Sequence, residues 1–430
     1  MELALLVVGL VLLTILAMRG VPIIVASLAA GVVVLLLSGM DVVSGISDSY
    51  MAGFSTYIKN YYMMFILGAI FGKLCEVSGA AESIARAVVN QFGEKYVILG
   101  IIMAAAILGF GGVSLFVALF ALYPLAMSLF RRADIPRRLF PAAYIAGAGT
   151  FAMTAPFTPS SQNIIPMQYL GTTLSAAALP GVIASIFCAI SVCIYMQWKV
   201  NKVRAAGEHF VPLAGEDFTV ADDSSLPNIG IAILPMIILI VVLNAFGLPI
   251  IVSLFIGIIC AVIIYFKWLP HSFAEMWNHV SSGASNGIMS IVNTAATVGF
   301  GSIVSATPAF AMLAGTITNL AQGGNALLMA GISVAFLAGI SGSASGGLGI
   351  AIPIVGEIFL PLGVSPEALH RVAVISSSSL DSLPHNGFVN TCLNYSKTNH
   401  KQGYFDIFVV SVIITTIETF IVIALCNMLM

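Results

Sequence analysis

The chain has 430 residues, 59% of them hydrophobic and only 8% charged, against roughly 25% charged in a soluble domain. So little charge cannot cover a water-facing surface, and lipid is the solvent that such a composition fits. The 16 basic and 18 acidic residues nearly cancel, so the net charge of -2 gives no indication of a nucleic-acid partner.

In chain order, Leu3 to Met18 is an apolar run with no basic residue before it, and it reads as a retained first span rather than a cleaved leader. Further spans of about 20 residues are expected at Val21 to Ser38, Tyr61 to Val77, Ala176 to Gln197, Ile229 to Phe246, Pro249 to Trp268, Ile288 to Ser305 and Phe405 to Leu429. Between them, glycine and serine interrupt the apolar stretches 96–130, 139–169, 326–362 and 368–395. The one long polar segment, 199–228, carries Glu208, Glu216, Asp217, Asp222 and Asp223 and reads as a linker. It separates two halves, 1–198 and 229–430, whose span types follow the same order. Matched positions recur at a near-constant offset: Gly53 with Gly283, Phe71-Gly72 with Phe300-Gly301, Pro136 with Pro366 and Pro156 with Pro384. A duplication is the simplest source of that register. The cluster Tyr57, Tyr61, Tyr62 reads as an interfacial aromatic belt.

Charge orients the spans. Cytoplasmic loops are enriched in Lys and Arg, which assigns Arg131, Arg132, Arg137, Arg138, Lys199, Lys202 and Arg204 to the cytoplasm, together with Arg19, Arg86, Lys95, Lys267, Lys397 and Lys401. Lys95 and Arg131 share a side only if 96–130 enters and leaves by the same face, turning at Gly109 to Ser114. The second half repeats this hairpin at 326–362, with its turn at Ser341 to Gly349, and parity puts it on the opposite side. Lys59 and Arg371 are the lone misfits. The expected fold is an all-α polytopic membrane protein of two inverted-topology repeats. It has about ten spans plus two re-entrant hairpins, helices broken at the midplane, and both termini outside.

The chemistry is expected at the breaks. Pro156 and Pro159 interrupt the span 139–169, and irregular backbone at that depth needs protein or a water-filled cavity around it. Thr158, Ser160, Ser161 and Asn163 offer hydroxyls and an amide there. The half-helix that resumes beyond them points its N–H groups at an anion. The matching break holds Ser379, Asp381, His385 and Asn386. An ionisable residue inside a membrane is a functional candidate by default, so Asp381 and His385 are assigned to ion coupling. Gly111, Gly112 and Ser114 at one hairpin tip, and Ser343, Ser345 and Gly346 at the other, complete the expected substrate site. Glu357 and Glu418 lie in apolar runs outside the breaks and read as structural. The six cysteines form no CxxC pair, and no HExxH or zinc-type spacing occurs, so no metal or cofactor is expected. No GxxxxGK followed by Ser or Thr occurs either, so this chain alone does not suggest ATP-driven transport.

The run Gly68-Ala-Ile-Phe-Gly-Lys-Leu-Cys-Glu-Val-Ser-Gly-Ala-Ala-Glu-Ser-Ile-Ala and the run Ser376 to Gly387 resemble the gluconate:proton symporter family, and the similarity spans essentially the whole chain. The resemblance implies the wider ion-transporter superfamily fold, with a scaffold, a mobile transport domain and a homodimer, in a bacterial inner membrane. It also implies proton-coupled uptake of sugar acids or short hydroxy acids. Thr158-Pro-Ser-Ser-Gln-Asn stands where gluconate permeases carry a proline- and histidine-rich break. That departure leaves gluconate itself open, and its hydroxyls and amides also suit a sodium-coupled carboxylate symporter. A channel and an intramembrane hydrolase built on Ser382, Asp381 and His385 are the remaining alternatives.

Overall fold

The computed structural model describes residues 8–9, 11–16, 19, 21–113, 115–213, 225–310, 312 and 325–430. Half of the expected span Leu3 to Met18, Ser114, and the linker acids Glu216, Asp217, Asp222 and Asp223 lie outside them. The chain is all-helical, and the described residues contain no strand.

The first half runs α1 (Ile23–Leu37), α2 (Val42–Val77, with a π-turn at Gly45–Tyr50), α3 (Ala80–Phe92), α4 (Val97–Phe110), α5 (Leu115–Ala133), α6 (Phe140–Ala148), α7 (Phe151–Thr154), α8 (Ser161–Leu170) and α9 (Ala178–Ala205). The second half runs α10 (Ile229–Asn244), α11 (Ile250–Ile264), α12 (Phe273–Ser305), α13 (Ala326–Ser341), α14 (Ala344–Phe359), α15 (Pro366–Ser377), α16 (Gly387–Tyr395) and α17 (His400–Leu429). Long helix, hairpin, broken helix and closing helix thus come twice in the same order.

Local chemistry sets these boundaries. Asn228, Asn325, Ser343, Ser365, Asn386 and Asn399 cap the starts of α10, α13, α14, α15, α16 and α17, each accepting from a backbone amide that has no partner inside its helix. Pro22 and Pro249 precede α1 and α11. Among the described helices, α3 is the most clearly two-faced. It buries Ala81, Ile84, Ala85 and Val89 and pairs Arg86 with Glu82 at 2.6 Å one turn away.

α9, α12 and α17 are each long and apolar enough to cross a membrane, and α2 with α3, bent by 68°, passes as a pair. The exposed side chains tell the same story. Leu179, Ile183, Ile186, Ile190 and Ile194 form a bare apolar stripe along α9, and Ile263 on α11 is 68% exposed. Water does not tolerate such rows, whereas acyl chains do. The hairpin arms α4, α13 and α14 have 14 to 16 residues, about 21–24 Å, against a hydrocarbon core of about 30 Å, so each stops short of the far face.

Two packed bodies emerge. α2 lies along α12, and α1, α10 and α11 join them. The hairpins, the broken helices, α9 and α17 pack among themselves, while α3 bridges and α12 touches α14. Two expectations change here. α2 and α12 extend far beyond Tyr61 to Val77 and Ile288 to Ser305, because their polar first turns are helical too. Tyr57 and Tyr61 are not a belt: they are 3% and 1% exposed, with Tyr57 against Gly349 of α14, and only Tyr62 is open.

At the end the charge count assigned to the cytoplasm, Asp406 is buried. It meets Lys199 at 2.8 Å, the Tyr195 hydroxyl at 2.7 Å and Arg138 at 3.3 Å, while Arg138 also grips Glu208 through two nitrogens. Nearby, Asp134 accepts from the His209 ring at 2.6 Å and from the Phe210 amide at 2.9 Å.

Candidate transport site at two helix breaks

In the first half the helix stops at Ala148, resumes for four residues as α7, and then runs non-helical, with a turn at Pro156-Phe157, through Pro159 to α8. Proline lacks an N–H and disfavours helix in the residue before it, so the ladder cannot close here. Phe157 takes a left-handed φ of 69°. Its amide donates to Leu174 and its carbonyl accepts from Asn244 of α10. Ser160 caps α8 by accepting from the Asn163 amide, and the Ser161 hydroxyl donates to Gln162. Thr158 is fully buried, and its hydroxyl has no partner.

The hairpin between α4 and α5 turns against this break. Gly112, at φ 85°, leaves only 3.5 Å between a hypothetical Cβ and the Pro159 ring and 3.2 Å to Leu239 of α10, so a side chain there is both strained and crowded. Gly111 stands against Met236.

The second break follows α15. Ser377, Ser378 and Ser379 fold their hydroxyls back onto carbonyls three residues earlier, which ends the helix from within. Asp381 accepts from the Ser382 hydroxyl at 2.8 Å. Asn386 caps α16 through Val389 and ties back to the Asp381 carbonyl. His400 and Tyr404 of α17 reach in to Pro384 and to Ser382. The tip between α13 and α14 closes over this break. His385 Nε2 lies 3.0 Å from the Gly339 carbonyl, which can only accept, so that nitrogen carries the proton and the buried Nδ1 is left without a partner. Gly342, at φ 57°, would place a Cβ 2.6 Å from the His385 ring. Ser343 caps α14 through the Gly346 amide and lies 3.4 Å from the Ser345 hydroxyl, while the Ala344 amide faces the Asp381 carboxylate.

The structure therefore groups Gly111, Gly112, Thr158, Ser160, Ser161 and Asn163 in one centre. Ser343, Ser345, Gly346, Ser379, Asp381, His385 and Asn386 form the other. Ser114 lies outside the described residues. Among the described residues no cluster of three or more His, Cys, Asp or Glu could hold a metal. Ser382 donates to Asp381 and not toward His385; no nucleophile–base pair of the hydrolase kind is formed.

One residue ties the second half of the chain to the first centre. Arg371 of α15, wholly buried, donates from Nη1 to the Thr154 carbonyl and to Asn163 Oδ1, both at 2.8 Å. Its Nε reaches the Ala176 carbonyl and its Nη2 the Leu174 carbonyl, both at 3.0 Å. Beside it, His370 meets Thr172 at 2.6 Å. Sequence reasoning passed over Arg371 as a lone misfit. Its misfit to the charge rule was the available signal, because a base that belongs to no loop is a base inside the protein. Asn163 Nδ2 also donates to Ala155 and Ser160, so both ends of this amide are engaged within the protein.

An all-helical, multi-pass membrane fold with paired hairpins and paired breaks defines a membrane transporter rather than an enzyme. The chain belongs to the GntP family of permeases: the family's profile matches residues 1–249, and a Bacillus subtilis transporter, YxjC, is 34% identical over the whole of this chain and 99% of its own. The high-affinity gluconate transporter of Escherichia coli is 28% identical over 51% of this chain and 48% of its own. The YdaH transporter of Alcanivorax borkumensis shares the fold, with a TM-score of 0.60 over 89% of this chain and 87% of that one, at 15% identity.

Proposed function

We propose that this permease is a secondary active symporter that moves a small organic hydroxy-monocarboxylate, a sugar acid or a shorter hydroxy acid, together with protons. The observation that carries this reading is the pair of helix breaks, each seated against a hairpin tip. They turn the capped N-termini of α8, α14 and α16 toward polar, largely buried centres. Amide-rich, positive helix ends suit a carboxylate, and the relatives named for gluconate support that substrate class. Thr158, Ser160 and Ser161, with Ser343, Ser345 and the two glycine tips, are the groups assigned to the substrate. Asp381 and His385 are assigned to the coupling ion. The division into two packed bodies supports alternating access by an elevator-like movement of the body that holds both breaks. A homodimer in a bacterial inner membrane, with inverted repeats and both termini outside, completes the reading.

The alternative coupling ion is sodium. It is favoured by the serine-rich second break, where the Asp381 carboxylate, an oxygen ligand that suits a hard cation, stands beside the Ser382 hydroxyl. Uptake of labelled gluconate and of shorter hydroxy acids into proteoliposomes, driven in turn by an imposed pH gradient and an imposed sodium gradient, tests both. Accumulation that follows pH alone supports the proton. Accumulation that follows sodium and ignores pH transfers the assignment, and failure to accumulate any organic acid under either gradient overturns the function.

A further inference from the structure

Glu418 lies in the Ile414–Leu429 stretch of α17, which otherwise carries no charged side chain. It is 0% exposed, and neither carboxylate oxygen has a hydrogen-bond partner. The hydroxyls near it along α17 are spent elsewhere: Thr415 and Thr419 donate to carbonyls of their own helix one turn back. From α9 it faces the Cys188 thiol, a weak donor outside hydrogen-bond geometry. From α15 it faces Arg371, whose four hydrogen bonds all go to the first-half break and its flanking loop. His370 is held by Thr172, Cys426 is the other titratable group on this part of α17, and α13, which also packs here, has none.

A carboxylate ion with no donor and no exposure carries a desolvation cost that proteins avoid by keeping the proton on. Arg371 is the one cation in electrostatic reach, and it is committed to carbonyl and amide oxygens. Gly181 and Cys188 share a face of α9, two turns apart; Gly181 abuts the Arg371 side chain and Cys188 faces Glu418. One face of α9 thus meets both the base and the acid.

We infer that Glu418 carries an exchangeable proton whose hold depends on how firmly Arg371 grips the first-half break. While Arg371 is fully engaged, Glu418 is a neutral acid. When the break rearranges and frees guanidinium N–H groups, the freed charge stabilises the carboxylate and the proton passes to water. This is a second protonation site beside Asp381, which has the Ser382 hydroxyl as a donor of its own. As a transport device it rests on the symport reading above, but the protonation itself does not.

The test uses the full chain in lipid. Infrared spectroscopy should show a buried carboxylic acid band at neutral pH that Glu418→Gln removes, and that Asn163→Ala, which frees one guanidinium N–H, weakens at the same pH. Should Glu418→Gln not fold, Glu418→Asp shifts the band instead of removing it. A band untouched by the Glu418 variants overturns the assignment. In proteoliposomes, substrate-driven proton uptake by Glu418→Gln should fall by one proton per substrate while counterflow persists; uptake equal to the parent overturns the link to transport. If the parent takes up no protons with any organic acid, the symport reading fails, and the infrared result still decides Glu418.

Discussion

Arg371 in α15 donates to Asn163 Oδ1 in α8 at 2.8 Å, so a side chain from the second half of the chain closes the helix break of the first. Its other acceptors are the backbone carbonyls of Ala176, Thr154 and Leu174, of which Leu174 also accepts from the Phe157 amide. Arg371→Met should therefore strand several buried acceptors, at about 1–3 kcal/mol each. We expect loss of monodisperse protein, or a sharply lowered melting temperature in detergent. Asn163→Ala should lower stability by about 1–3 kcal/mol, since it removes two donated bonds and one accepted one. An Arg371→Met protein as stable as the parent would refute the tie.

Thr158 separates binding from folding. Its hydroxyl is buried without a partner, so Thr158→Val removes no bond from the protein. The melting temperature should stay level or rise. If the hydroxyl meets substrate, affinity should fall roughly 5- to 150-fold, the equivalent of about 1–3 kcal/mol. Saturation curves for exchange, read beside thermal melts, check both halves; unchanged affinity removes Thr158 from the site.

Asp381→Asn keeps the shape of the second break and removes its charge. Accumulation against a gradient should fail while exchange of labelled for unlabelled substrate persists, because exchange needs no net ion movement. Parent-like accumulation would assign the coupling ion elsewhere.

The charge count and the hairpin put Lys95 and Arg131 on one side of the membrane. Single cysteines at the two positions, in a background lacking the six native ones, should both react with an impermeant thiol reagent from the cytoplasmic face only. Labelling from opposite faces would make 96–130 a full crossing.

On the loop that follows α5, the His209 ring and the Phe210 amide hold the Asp134 carboxyl below its ordinary range. A carboxyl lowered in the folded state contributes stability above its unfolded value of about 3.9, and loses it as pH falls through the folded value. Proteolysis near Lys202 and Arg204 should therefore stay slow from neutral pH to about 4 and quicken below it. Asp134→Asn should be cut faster at neutral pH and lose that acid dependence.

Hairpins and breaks were legible because glycine, serine and proline interrupt apolar runs, and interruption is a local property of sequence. The observed arms and broken helices fall within a few residues of 96–130, 139–169, 326–362 and 368–395. The long helices were not legible. Polar residues such as Asp48, Lys59, Glu275 and His279 read as loop on hydropathy, yet a helix continues through them because nothing breaks its hydrogen bonds. Tyr57 and Tyr61 looked interfacial because a sequence does not reveal which helix will cover them. The relation of Arg371 to Glu418 was out of reach for the same reason: it exists only where α9, α15 and α17 meet.

The length of α12 has a mechanical corollary. Its 33 residues extend about 50 Å, and α2 beside it runs from Val42 to Val77, whereas the apolar slab is about 30 Å thick. A rod of that length fits only by leaning steeply or by standing proud of the slab. If it leans, bilayer thickness becomes an input to the protein: thinner membranes flatten the two paired struts and thicker ones raise them. Turnover measured in lipids of graded acyl length should then pass through an optimum set by these two helices, with the short hairpin arms riding at a depth the struts decide.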